Sequence, residues 1–329
     1  SYGVTDAALD TIQLAKPVIG DREVELVTQV LRSGQLSLGP MLTRFEEAWA
    51  ERAGVAHAVA CSSGTAGLHA CFHALGLGPG DEVIVPSFSF VASANAILFT
   101  GATPVFVEVD PLTFNLDPAA VEAAITPRTK AIEIVDIFGY PAELPSLVDI
   151  ADRHGLAIVE DACQAIGGDY DGRQYGTFGH PTVLAFYANK QMTTAEGGIV
   201  LTDDGDLARH LKSLVNQGRS DDGAWLVHAR LGFNYRLSDI ACGDASMMKA
   251  ALPGTKVRHY HGIDLSQAAL ELAAGNLAGL PCEVDLDHRD FVEAMMRRPE
   301  HADAAWCSLS IHHLSTDDKL RLMKAIRGA

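Results

Sequence analysis

LAIVEDACQAIGG at residues 156–168 and YDGRQYGTFGHPTVLAFYANKQMTTAEGGIVLT at residues 170–202 decide how this chain is read. The apolar run Leu156–Val159 is short and bounded, so it predicts a buried strand ending in Glu160-Asp161. A carboxylate at the C-terminal end of such a strand stands where open α/β sheets bind ligands. Val183–Tyr187 predicts a second short strand, with Lys190 in the loop beyond it. Gly197-Gly198 then makes a turn, and Ile199–Thr202 gives another strand.

An acid on one strand end and an amine beyond another suit pyridoxal phosphate (PLP) chemistry. The Lys amine forms the Schiff base, and the Asp keeps the pyridine nitrogen protonated so that the ring accepts electrons. Taken alone, the same residues also read as a helix cap and a solvated loop lysine. The phrases EDACQAIGG and AFYANKQMTTAEGGIVLT resemble the DegT/StrS-type family of PLP-dependent sugar aminotransferases. The resemblance implies the fold type I large domain of PLP-dependent transferases, a mainly parallel sheet in a three-layer α/β/α arrangement. It implies that Lys190 carries the cofactor and later acts as general base, that Asp161 faces the ring nitrogen, and that Gln164 lies near the ring oxygen. A sister reaction of the family, sugar dehydration, uses His in place of that Lys, so Lys190 speaks against it. Ala185 is a departure: many members have a Ser there that contacts the phosphate.

The 329 residues are 48% hydrophobic, ample for a core, and no apolar run approaches the 18 or so residues of a membrane span. Ser1 opens a polar N-terminus without a signal-peptide pattern. A formal net charge of -17 argues against nucleic-acid binding, because phosphates would be repelled. Cys61, Cys71, Cys163, Cys242, Cys282 and Cys307 show no CxxC pair or metal-ligand spacing, and no metal site is expected at His312-His313. Reduced thiols suit a cytoplasmic protein.

Working outward, Asp21–Ser33 and Met41–Ala53 predict amphipathic helices, with Asp21 a plausible cap of the first and the loop GQLSLGP between them. In the family that loop borders the active site. His57–Cys61 predicts a strand, Ser62–Thr65 a polar turn and Ala66–Leu75 a helix. Free N–H groups at such a turn bind phosphate, and Gly64 lets an anion approach closely, although an ordinary Ser/Thr cap has the same letters. SSGTAGLHA resembles the family phrase that holds the cofactor phosphate, which implies Ser63, Gly64 and Thr65. Phe90 matches the aromatic position that stacks on the pyridine ring, while Phe88, two residues away, leaves open which ring points inward. Strands at Asp81–Val85, Thr103–Val109 and Lys130–Asp136 alternate with helices starting in SFSFVASANAILFTG and at Asn115–Ile125 and Leu147–His154, the pattern of a mainly parallel, doubly covered sheet. After the helix Asp206–Asn216, LGFNYRLSD resembles the family segment whose Asn reaches the phosphate of the neighbouring subunit. That makes Asn234 a cofactor contact and implies a homodimer with shared active sites.

The aminotransferase resemblance covers roughly residues 10–240. From there SDIACGDASMMKAAL, KVRHYHGIDLSQAALELAA and LPCEVDLD are similar to a class I S-adenosylmethionine (SAM)-dependent methyltransferase. DIACGDAS resembles its first strand and glycine turn, starting at Asp239, with Gly243 allowing close approach of SAM. Asp264 ends a second strand where an acid binds ribose hydroxyls, and Asp285 or Asp287 lies where a third would meet adenine. The expectation is therefore an aminotransferase large domain over 1–238 and a partial, Rossmann-like methyltransferase segment over 239–329, joined without a linker, with the aminotransferase small domain and the later methyltransferase strands missing. The expected function is conversion of a keto group on a nucleotide-linked sugar or cyclitol to an amine, with glutamate or glutamine as amino-acid donor. The alternatives are a SAM-dependent small-molecule methyltransferase, or a chimera that binds PLP without turnover.

Overall fold

A computed structural model describes residues 17–174, 176–220, 227–242, 259–264 and 283–288, the last two segments by their backbone alone. The chain divides into one compact unit of Pro17–Lys249 and another made of Ser1–Lys16 with Ala250–Ala329.

In the first unit the order is α1 (Asp21–Ser33), α2 (Pro40–Ala53), β1 (His57–Cys61), α3 (Gly64–Ala74), β2 (Glu82–Pro86), α4 (Val91–Leu98), β3 (Thr103–Val107), α5 (Pro118–Ala124), β4 (Thr129–Val135), α6 (Leu144–His154) and β5 (Ala157–Asp161). A short hairpin of β6 (Asp169–Tyr170) and β7 (Arg173–Gln174) follows, then β8 (Thr182–Ala185), β9 (Gly198–Thr202), α7 (Gly205–Val215) and α8 (Asp239–Cys242). Seven strands form one sheet in the order β1-β9-β8-β5-β4-β2-β3. The pairings of β2 with β3 and β4, of β4 with β5 and of β5 with β8 are parallel, whereas β9 runs antiparallel to both β8 and β1. Six strands therefore point the same way, and their C-terminal ends share one edge of the sheet.

Side chains alternate across the pleat, so each strand feeds two cores. Val59, Val83, Val85, Ala131, Val159, Val183 and Val200 pack under Leu68 and Phe72 of α3, Ile97 of α4 and Leu211 of α7. One residue out of step, Ile84, Ile132, Ile134 and Ile158 pack against Leu144, Leu147 and Ile150 of α6 and Val121 of α5. Ala60, Leu184 and Ile199 meet Phe45 and Trp49 of α2 on that same side. The result is three layers with both sheet faces covered, as a parallel sheet requires.

Helix starts differ from the periodicity where side chains cap them. The sequence predicts a helix from Asn115, yet α5 begins at Pro118, because Asp117 caps Ala119 N–H at 2.9 Å. Asn115 is committed elsewhere, donating to the Tyr140 carbonyl and accepting from Ile137 N–H. Gly20, not Asp21, occupies the cap of α1, and Ser63 caps α3 through Ala66 N–H, so that helix starts two residues before Ala66.

The largest correction falls at the junction. DIAC was expected to be a methyltransferase strand beginning with a ligand-binding Asp239; it is instead the helix α8, within the Pro17–Lys249 unit. The reason lies 200 residues away. Asp239 is fully buried, and its carboxylate accepts N–H groups of Gly39, Met41 and Leu42 at 2.8, 3.0 and 3.2 Å. It thereby caps α2, whose own cap residue Gly39 has no side chain to do so. Gly39 is needed there: a Cβ would sit 2.7 Å from Asp239 Oδ1. Asp239 is therefore unavailable to SAM, and the Leu36–Leu42 loop is fastened to the end of the LGFNYRLSD segment, with Asp239 N–H also donating to Leu36. Asp239→Ala is expected to lower stability by about 2–3 kcal/mol, since it removes a cap and strands buried donors. A urea midpoint within error of the parent's would refute this role.

In the second unit, β10 (His259–Asp264) and β11 (Glu283–His288) form a parallel pair, with His259 opposite Glu283 and Asp264 opposite His288. These are the two strands expected at YHGID and EVDLD. Gly243 and His312-His313 lie outside the described residues.

Candidate active site

The shared edge of the six strands is where several of the residues expected to hold PLP stand. Asp161 ends β5 and is buried. Its Oδ1 accepts Cys163 N–H and its Oδ2 accepts the Ser93 hydroxyl, both at 3.1 Å. Ser93 stands in the first turn of α4, and its hydroxyl lies 2.7 Å from that of Ser89. Two donors on two oxygens fix the plane of the carboxylate.

Lys190 follows β8 in a turn closed by its own N–H on the Tyr187 carbonyl at 2.9 Å. Its side chain is half-buried. Burial, and then the Asp161 charge, push the Cys163 thiol well above its usual range, while the nearby Lys190 ammonium pulls it back. The amine and the Asp161 carboxylate thus act on the same thiol from two strand ends.

The Ser63–Thr65 turn joins β1 to α3 at this edge. Ser63 Oγ accepts Ala66 N–H, which leaves the hydroxyl hydrogen able to donate outward. Close packing gives the turn its shape. A Cβ on Gly64 would lie 2.6 Å from Cys163 Sγ and 2.9 Å from the Ala185 methyl, and one on Gly198 would lie 2.5 Å from the Ser63 carbonyl carbon. Thr65 is half-buried beside them. Ala185 therefore stands against the turn where the resemblance places a phosphate-binding Ser. Ala185→Ser is expected to tighten PLP binding about tenfold, by adding one hydrogen bond to a charged group. Fluorescence titration of the cofactor-free protein checks this, and an unchanged dissociation constant would count against it.

The two phenylalanines separate cleanly. Phe88 packs 5.4 Å from Phe114 and 5.9 Å from Phe138 between ring centroids, whereas Phe90, at the start of α4, is 68% exposed. Gln164 accepts Phe138 N–H at 2.8 Å through Oε1, which leaves its NH2 end as the outward donor, and its carbonyl accepts the Gln191 amide. Phe138 itself adopts φ of 57° in the 3-10 turn after β4, a conformation held by that contact. Asn234 is exposed, and the next residue, Tyr235, accepts Ser62 N–H through its carbonyl at 2.7 Å, which ties the segment to the Ser63–Thr65 turn. The Tyr235 hydroxyl is 3.0 Å from His69 Nδ1.

Ser93, Phe138 and the pinning role of Asp239 escaped the sequence reading. Ser93 left one local trace, its position one helical turn beyond Phe90. The described residues contain no cluster of three or more potential metal ligands, and none of their helices is long and apolar enough to cross a membrane.

The sequence pattern of the DegT/DnrJ/EryC1/StrS aminotransferase family matches residues 17–263. The chain belongs to that family. It is 42% identical over 233 residues to the GDP-perosamine synthase of Caulobacter vibrioides, covering 70% of this chain and 62% of that protein. It is 44% identical over 219 residues to the spore coat polysaccharide biosynthesis protein SpsC of Bacillus subtilis, covering 67% of this chain and 56% of that one. The chain thus spans less than two thirds of the length of these relatives. Among solved structures, S. venezuelae DesV in complex with a ketimine intermediate superposes with a TM-score of 0.69 at 40% identity, over 79% of this chain and 67% of that one. The DegT/DnrJ/EryC1/StrS proteins are PLP-dependent aminotransferases of fold type I, and the mainly parallel three-layer sheet described here is that fold. A methyltransferase-domain pattern matches residues 238–329, overlapping the aminotransferase match between 238 and 263. Within that overlap α8 lies in the Pro17–Lys249 unit.

Proposed function

We propose that this DegT/StrS-type chain is a PLP-dependent aminotransferase that converts a keto group of a nucleotide-linked sugar, or a related cyclitol, to an amine, with glutamate or glutamine as donor. The observation that carries the reading is the Asp161 carboxylate, oriented by Ser93 and Cys163 at the sheet edge that also receives Lys190 and the Ser63–Thr65 turn. The residues present fit the cofactor: the turn has outward donors, Gly64 in it and Gly198 against it leave no room for a Cβ, and an exposed aromatic ring stands at the same edge. PLP supplies an electron sink for the carbon that loses a proton.

The chain's own residues do the rest. Ser63, Gly64 and Thr65 hold the phosphate through N–H and O–H donors. Phe90 covers the ring face, Gln164 donates to the ring oxygen, and Asp161 keeps a proton on the ring nitrogen. Lys190 anchors the cofactor through its amine and, once released, moves a proton at the reacting carbon as general base. Asn234 would complete the phosphate site of a second copy, making the active unit a homodimer, and we place it in the cytoplasm. The nucleotide-sugar reading is supported by the name of one relative, a GDP-perosamine synthase.

We retain the two-part organisation, an aminotransferase large domain over 1–238 followed by the methyltransferase-like segment 239–329, with α8 added to the first part. A SAM site would have to use Gly243 and Asp264 without Asp239. An absorbance scan separates the readings. The chain loaded with PLP should show a visible band that borohydride removes and that glutamate bleaches. Colourless protein that instead binds SAM in a calorimetric titration and transfers its methyl group would overturn the aminotransferase proposal.

A further inference from the structure

β4 carries a carboxylic acid where its neighbours are apolar. Glu133 lies in the run Thr129–Val135, on the face shared with Ala131 and, across the parallel register, with Val159 and Asp161 of β5. Its side chain is fully buried under the face covered by α3 and α4, and neither carboxyl oxygen is in a formed hydrogen bond. The polar neighbour within interaction range is the Ser93 hydroxyl, which is turned to Asp161. The titratable groups facing Glu133 are Asp161 from β5 and Cys71 from α3. No cation faces it.

An ionised carboxylate cannot persist in such surroundings without a partner. Burial, reinforced by the Asp161 charge, holds the Glu133 carboxyl well above its usual range, and Ser93 offsets this only in part. The neutral acid changes the bookkeeping of donors, because it gains an O–H that needs an acceptor. Ser93 gives its one proton to Asp161, so the Ser89 hydroxyl donates to it and one Ser93 lone pair is left to offer.

We infer that Glu133 is a positioning residue that donates to Ser93 Oγ and through it keeps the Asp161 carboxylate aimed at the cofactor site. A hydrogen-bond chain ending on an anion strengthens each link. The role rests on the proposed function of Asp161, and it adds a donor behind the group that family resemblance already named.

The test compares Glu133→Gln, which keeps a donor without a proton to lose, with Glu133→Met, which keeps volume and loses the donor. Infrared spectra of the cofactor-free protein at neutral pH should contain a protonated-carboxyl band that Gln removes. A second such band, removed by Asp136→Asn, is expected from Asp136, whose carboxyl burial and then the Glu160 charge also push well above its usual range. In the PLP-loaded enzyme, Gln should keep the single-turnover rate with glutamate within about threefold. Met, and likewise Ser93→Ala, should lower it about tenfold or more, the scale of one hydrogen bond to a charged group, with little change in KM. Met should at the same time raise the urea midpoint, because it replaces a buried acid with an apolar side chain; a merely structural Glu133 would lose rate and stability together. A carboxyl band unchanged by Gln, or Met matching the parent's turnover, overturns the inference. If the parent protein itself binds no PLP, the proposed function fails, and the infrared and urea measurements still decide whether Glu133 is the neutral donor.

Discussion

Lys190→Ala is expected to lose transamination almost completely, by about 10,000-fold or more in a single turnover, the upper range for removing a positioned proton-transfer group. The loss should be this large because one amine has two tasks, anchoring the cofactor and moving the proton. The fold around it should survive: Lys190 is half-buried in a loop turn, and the turn is closed by its backbone N–H rather than its side chain. Borohydride reduction followed by peptide mass analysis should place the cofactor on Lys190 in the parent and nowhere in the variant. The other lysines of the described sheet domain make poor substitutes. Lys130 is exposed on β4, and Lys212 is paired with Glu46 at 3.0 Å. An adduct on either, or on no lysine at all, would remove the central assignment.

How much of this was legible beforehand depends on how far away the deciding contact lies. The strands β2, β4 and β5 announce themselves as short apolar runs, since a strand covered on both faces has no polar alternation to hide it. The turn at Ser63–Thr65 could be read because cap, glycine and helix are all within a few residues. Asp239 could not. DIACG looks locally like a strand entering a glycine turn, and what makes it a helix is a set of N–H groups on α2 that only the folded chain brings near. The Phe88/Phe90 ambiguity was of the same kind, resolved by Phe114 and Phe138 from other segments. Asn115 fits a helical pattern locally, but its side chain bridges the Tyr140 carbonyl and Ile137 N–H instead. Glu133 was not singled out in the sequence, because its meaning depends on Ser93 and Asp161 from other segments.

Asp161→Asn should separate chemistry from binding. The site tolerates the amide. One oxygen can still accept Cys163 N–H, and the new NH2 can face Ser93, whose hydroxyl rotates to accept and to donate elsewhere. Stability should therefore change by no more than about 1 kcal/mol, the net worth of one rearranged hydrogen bond. PLP affinity should fall only modestly, since Lys190, the Ser63–Thr65 turn and Phe90 are untouched. The reaction is another matter. A neutral amide has no charge with which to hold a proton on the ring nitrogen, so the electron sink weakens at the step where the substrate carbon gives up its proton. The single-turnover rate with glutamate should drop by about 100- to 1,000-fold, the scale for deleting one preorganised electrostatic partner. Equilibrium dialysis gives the binding term and stopped-flow absorbance gives the rate. A rate within a few-fold of the parent's, with binding intact, would show that Asp161 is a cap at a strand end and that the ring nitrogen is served by another group.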